Sequence, residues 1–229
     1  MNSSKYLAEA IGTFFLCFAG IAAILSTQDP INSGAGLVGI ALAHGLALSI
    51  AVNNFGGISG AHINPAVTAG MLVTGRIPFG EAIGYVISQL AGATVAAVAC
   101  KFLFPVAVVE AAKLGIPLPG GDWVTMPIVL VAEGIATFLL VMSVFGAAVD
   151  ERGQVVKIGG FAIGLTVAFD ILAIGAVTGA SMNPARSFGP ALVYGYFDWH
   201  WCYWVGPIAG GVLAALVYDN FLLESKKNG

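Results

Sequence analysis

Charge is what this sequence has least of. Among 229 residues, 9 are Lys or Arg and 12 are Asp or Glu, together 9%, where soluble domains carry about 25%. That scarcity excludes a water-exposed globule. A net charge of −3 with no basic run excludes the electrostatic footprint of a nucleic-acid binder. Cysteine is equally sparse. Cys17, Cys100 and Cys202 stand far apart in apolar surroundings and lack metal-ligand spacing, so they read as small packing residues and no metal or cofactor is expected. No nucleophile–base set is visible, and an enzyme is not expected. No small-residue cleavage pattern accompanies the first apolar run, which is therefore expected to stay as a membrane span.

Apolar residues are plentiful: 58% of the chain, with mean hydropathy +0.91 and 31 glycines. Small residues let transmembrane helices approach closely. Six apolar stretches, about 6–27, 35–55, 82–104, 127–149, 157–177 and 201–223, are long enough to cross a core of roughly 30 Å. Two shorter ones, 64–73 and 183–193, are not. Ten helical residues rise about 15 Å, so the two end to end match one bilayer. Lys and Arg in the short loops set the orientation. With both termini inside, the inner side carries Lys5, Arg76, Arg152, Lys157, Lys226 and Lys227, and the outer side Lys101 and Lys113.

The chain repeats itself. "AEAIGTFFL" (8–16) returns as "AEGIATFLL" (132–140), and "SGAHINPA" (59–66) as "TGASMNPA" (178–185). "HGL" (44–46) pairs with "IGL" (163–165) at the same offset of 119 as the two Asn-Pro-Ala triplets. Each half holds three spans, an odd number, so the second half enters the membrane from the opposite side. The fold class expected is an all-α membrane protein with six transmembrane helices and two re-entrant half-helices. It forms one domain over 1–229, an inverted 3+3 repeat of about 5–104 and 127–223.

Proline is favoured at the first turn of a helix, which makes Asn64 before Pro65–Ala66, and Asn183 before Pro184–Ala185, helix N-caps. Inversion points these two N-termini at one another at mid-membrane. Each carries about half a positive charge. Facing ends are hostile to cations and suited to a neutral dipolar permeant. Arg186, directly after the second triplet, adds a fixed positive charge, and the intramembrane His44 is a functional candidate by default.

On these motifs the chain resembles the aquaporins, the major intrinsic protein family, over essentially its whole length. The resemblance implies an hourglass of six tilted helices and two half-helices. It also implies one pore per subunit, usual assembly as a homotetramer, and water as the first permeant. It assigns a selectivity filter to His44, Ile171, Ala180 and Arg186. This filter departs from the common water-channel pattern, with an aromatic on the second helix and a histidine on the fifth. It is similar to that of the plant tonoplast intrinsic proteins, as is "ILAIGAVTGASMNPARSFGPALV". The alternative reading of His44 is a buried histidine satisfied by a neighbouring helix, and His62 either lines the inner vestibule or scaffolds its loop. The resemblance and the cost of burying backbone polar groups both make Glu9 and Glu133 acceptors for the re-entrant loops. Gly45 and Gly164 mark a close helix crossing. Ser187, Ala191, Tyr203 and Trp204 resemble the water-type rather than the glycerol-type signature. Asp170 has no repeat mate and no assigned role.

The function expected is a passive water channel that excludes protons and ions, with ammonia as a second permeant and the lipid bilayer as its surroundings. Glycerol facilitation is the alternative within the family. An ion-coupled secondary transporter and a closed-pore junction protein are the alternatives outside it. The expected host is the cell membrane, inner or plasma, with cytoplasmic termini; the vacuolar membrane is the alternative.

Overall fold

The computed structural model describes residues 3–32, 34–152 and 158–223. Lys157, Lys226 and Lys227, used above for orientation, lie outside the described residues. The first four helices are α1 (Ser3–Ser26), α2 (Gly36–Ser59), the short α3 (Pro65–Val73) and α4 (Phe79–Leu103). A short α5 (Val106–Ala111) and a 3₁₀ turn (Lys113–Gly115) fill the outer loop, between the expected spans. The second half repeats the first with α6 (Met126–Val144), α7 (Phe161–Thr178), the short α8 (Pro184–Tyr194) and α9 (Cys202–Val217). Single π-turns extend α6 over Phe145–Val149 and α9 over Tyr218–Leu222.

Among the described residues, six helices have the length and apolarity to cross a membrane. Their outward faces carry bare Leu7, Ile87, Val95, Phe102, Val131 and Leu213. In water such a surface would be untenable; against lipid tails it costs nothing. α2 runs four residues beyond the expected 55. Asn53, near that end, has its Oδ1 accepting from Gly160 N across the helix pair at 2.9 Å. The helix stops at Gly60, whose left-handed φ of 83° lets its N–H return to Gly56 O.

Packing follows the repeat. α1 lies on α4 as α6 lies on α9, and α3 packs on α9 as α8 packs on α4. α2 and α7 cross one another on the symmetry axis. At that crossing a Cβ on Gly45 would lie 2.6 Å from Gly164 O, and one on Gly164 would overlap Gly45 O and Ser49 Oγ. Only hydrogen side chains let the backbones come so close. Among the described residues, the ion pairs Lys5–Glu81, Arg76–Asp219 and Arg152–Asp150 all sit on the face that carries the start of α1 and the end of α9.

Candidate functional site

A narrow cavity runs through the helix interior. Its walls are stripes at i, i+4 spacing, one turn apart on a single helix face: His44, Leu48 and Val52 on α2, Leu140 and Val144 on α6 with Ala148 on its π-turn, and Ile163 and Val167 on α7. Leu16 of α1 and both re-entrant loops complete it. Eight residues separate His44 from Val52, about 12 Å of rise. The cavity volume is about 30 Å³, room for roughly two water molecules at once.

At its waist the two half-helices meet head to head. Asn64 Oδ1 accepts from Ala66 N at 2.8 Å, and Asn183 Oδ1 accepts from Ala185 N at 3.0 Å and Arg186 N at 3.3 Å. Each amide then reaches across the axis. Asn64 Nδ2 donates to Met182 O at 2.8 Å, and Asn183 Nδ2 donates to Ile63 O at 3.0 Å. An amide nitrogen has two hydrogens, so each retains one for the cavity that both asparagines line. Helices of 9 and 11 residues rise about 14 and 17 Å, which puts the meeting point near the middle of a bilayer.

The loops before these caps are held open by two buried glutamates. Glu9 Oε1 accepts from Ser59 Oγ at 2.6 Å and His62 N at 2.9 Å; its Oε2 accepts from Ile63 N at 2.6 Å and Gln89 Nε2 at 2.7 Å. Glu133 Oε1 accepts from Thr178 Oγ1 at 2.7 Å and Ser181 N at 2.9 Å; its Oε2 accepts from Met182 N at 2.7 Å. In a trans peptide the C=O points opposite to the following N–H. Tying down these four N–H groups therefore turns the carbonyls of Ala61, His62, Ala180 and Ser181 away from the glutamates. The geometry requires left-handed backbone at Ala61 (φ 47°), Ile63 (57°), Ala180 (47°) and Met182 (54°). For a β-branched residue such as Ile63 this is a strained conformation, and strain of this kind persists only where surrounding contacts over-determine it.

Arg186 is 2% exposed and lines the cavity. Its Nη1 donates to Gly115 O of the outer 3₁₀ turn at 2.8 Å, while Nε has no partner among the described residues. His44 Nδ1 is 2.8 Å from Ile40 O. A carbonyl only accepts, so Nδ1 carries the proton and Nε2 is an acceptor, unpartnered among the described residues. Thr68 Oγ1 donates to Asn64 O at 3.1 Å and accepts from Gln89 Nε2 at 3.1 Å. Its remaining capacity to accept makes His62 Nδ1, also 3.1 Å away, a donor. The His62 ring both lines the cavity and packs edge-on against Tyr85, with centroids 5.0 Å apart.

Thus His44, Ala180 and Arg186 meet at one cavity. Ile171 is buried on α7 one turn beyond Val167, on the same stripe but outside the cavity's lining. Ser187 Oγ lies against Ser181 Oγ, and Ala191 is buried. Tyr203 Oη donates to Thr178 O at 2.8 Å, and Trp204 Nε1 donates to His200 Nε2 at 3.0 Å. Asp170 is 1% exposed; its Oδ2 has no partner among the described residues and it does not line the cavity. Sequence reading missed Gln89, Gly115 and Tyr85, whose Oη closes the end of α2 by donating to Ser59 O at 2.7 Å. A signal for Tyr85 existed: Tyr203 is its repeat mate and makes the matching bond in the other half.

Six crossing helices, and two half-helices whose N-termini meet beside a water-sized cavity, define a membrane channel of the hourglass type. The chain belongs to the major intrinsic protein family, whose model matches residues 1–218. It is 42% identical over 228 residues to Aquaporin TIP2-1 of Arabidopsis thaliana, covering 97% of this chain and 89% of that one. It is 43% identical over 222 residues to Aquaporin TIP4-4 of Zea mays, covering 95% and 86%. The aquaglyceroporin of Plasmodium falciparum has the same fold, with a TM-score of 0.82 at 24% identity over 96% of this chain and 97% of that one. The protein is accordingly an integral membrane protein and a passive water channel, not an enzyme.

Proposed function

We propose that water crosses in single file through the cavity between Asn64 and Asn183, and that this path bars protons and other cations. The observation that carries the proposal is the reciprocal cross-axis bonding of the two caps. It fixes both amides so that each offers one free hydrogen to a passing water oxygen, and it aims both helix dipoles at the same point. A water held by two donors at the waist has its own hydrogens turned outward, which interrupts a proton-conducting chain. The half-positive helix ends and the Arg186 guanidinium raise the electrostatic cost of any cation there. His44, Ile171, Ala180 and Arg186 form the outer filter on this reading, with Ile171 continuing the Val167 stripe past the cavity. His62 faces the inner vestibule with its unprotonated nitrogen. The Asn-Pro-Ala triplets position the waist, and Glu9 and Glu133 present the carbonyl ladder. Substituting Val167, on the wall, by Phe is expected to abolish osmotic flux in proteoliposomes. The same change at lipid-facing Leu165 leaves it intact. Equal flux in both variants sinks the assignment of the path.

Ammonia is the second permeant. Water and ammonia are similar in size and both dipolar, so hydrogen bonding separates them. Ile171 and Ala180 offer no side-chain donor, which penalises strongly hydrated water more than ammonia. The outer loop has no histidine to position Arg186, and the Gly115 carbonyl takes that place. Vesicles given an inward ammonium gradient alkalinise faster with the protein than without; rates equal to bare lipid leave a water-only pore. The assembly is a homotetramer by family resemblance, testable by light scattering in detergent. Of the two candidate host membranes, the TIP-named relatives weigh toward the vacuolar one.

A further inference from the structure

Gly20 is the next position after Leu16 on the face of α1 that meets the cavity, yet no side chain stands there. The imidazole of His44 does. A Cβ built on Gly20 would overlap the ring edge, 2.5 Å from both Cδ2 and Cε1 and nearer still to Nε2. Gly20 is buried, and His44 is 3% exposed.

The repeat supplies a control within the same chain. The offset of 124 that carries Glu9 onto Glu133 carries Gly20 onto Val144, and the offset of 119 carries His44 onto Ile163. Val144 and Ile163 both line the cavity. The equivalent positions of α6 and α7 thus carry a valine and an isoleucine where α1 and α2 carry a glycine and a histidine. At position 20 the three atoms a Cβ would meet first all belong to the His44 ring.

We infer that Gly20 is a positioning residue: it supplies the notch that receives the His44 ring and keeps that ring out of the water path. The inference rests on the proposed path past His44. The ring's other tether is the Nδ1 bond to Ile40 O on its own helix, which restrains its base but leaves the Nε2 edge free to swing. With the notch filled, the adjoining open space is the cavity itself. At about 30 Å³ it has no room for an imidazole edge beside a water file. Arg186, whose Nε–H lacks a partner among the described residues, lines the same cavity.

Gly20→Ala, His44→Ala and the double variant, each reconstituted at equal protein density and checked for helicity, are compared for osmotic water flux and ammonia flux. Gly20→Ala is expected to lose most of both. The double variant is expected to show the fluxes of His44→Ala alone, because without the ring the added methyl displaces nothing into the path. Wild-type fluxes in Gly20→Ala overturn the inference. So does a double variant whose fluxes fall well below those of His44→Ala, which would make Gly20 an assembly residue only. Wild-type flux no greater than bare lipid fails the water path itself, and this inference with it, whatever the variants do.

Discussion

Replacing Glu133 by Gln changes one atom group and leaves the volume alone, so its consequence can be worked from the hydrogen bonds. All three partners of the side chain are donors: Thr178 Oγ1, Ser181 N and Met182 N. A carboxylate satisfies all of them; an amide has one oxygen. If that oxygen keeps Thr178 and Ser181, the new NH₂ faces the Met182 N–H. One bond to a charged acceptor is then lost, worth about 1.5–3 kcal/mol, and a buried donor is left unpaired at about 1–3 kcal/mol. Taken near its lower end, the sum is about 3 kcal/mol, about two decades in the folded-to-unfolded ratio. By the scaling for chains of this size, the thermal midpoint falls by about 6–12 °C. Function suffers separately. A Met182 N–H no longer held by Glu133 lets the Ser181–Met182 peptide rotate, and the Ser181 carbonyl leaves the orientation that the left-handed Met182 enforces. Detergent melting curves and stopped-flow water flux on the same preparation check both parts. A midpoint within 2 °C of wild type with undiminished flux would refute the claim that Glu133 holds the loop.

Arg186→Val removes the fixed charge and the bond to Gly115 O, and is expected to admit larger neutral solutes; glycerol exclusion as in the wild type would take Arg186 out of the filter. Gly164→Ala drives a methyl into Gly45 O and Ser49 Oγ. Overpacking typically costs about 1–3 kcal/mol, read as a lower yield of monodisperse protein, and an unchanged yield would contradict the closeness of the α2–α7 crossing. Asp150, just beyond the α6 π-turn, is held well below the usual aspartate range by the Arg152 guanidinium, with further help from the Tyr218 hydroxyl. A depressed carboxylate stabilises the fold above its unfolded value, about pH 3.9, and that contribution disappears as pH falls through the lower folded value. The melting deficit of Asp150→Asn should therefore be constant from pH 8 to pH 5 and shrink only in strong acid, and a deficit that shrinks near neutrality would refute the pairing.

The crossing helices were legible because hydropathy alone sets them, and the half-helices because Asn-Pro-Ala fixes a cap and a first turn in three adjacent residues. The repeat made Glu9 and Glu133 legible, and Gly45 with Gly164. The rest depends on contacts that no local pattern encodes. Gly115 reaches Arg186 across 71 residues. Gln89 reaches Glu9 across 80, in a half whose repeat mate has no equivalent amide. Gly20 looks like any other glycine of a membrane helix until the His44 ring is seen lying in its place. The apolar stretch ends near 55 but α2 continues to Ser59, and the bond from Gly160 to Asn53 exists only once α2 and α7 have crossed. Asp170 has no repeat mate to read it by: it is buried off the cavity wall, and its Oδ2 has no partner among the described residues.

The central claim is that one path conducts water and refuses protons. Proteoliposomes loaded with a pH-sensitive dye and given an osmotic step and a pH step in the same experiment test it directly. The account predicts shrinkage much faster than in protein-free vesicles, with internal pH relaxing no faster than through bare lipid. Water flux equal to bare lipid, or pH relaxation that rises with protein density, would contradict it.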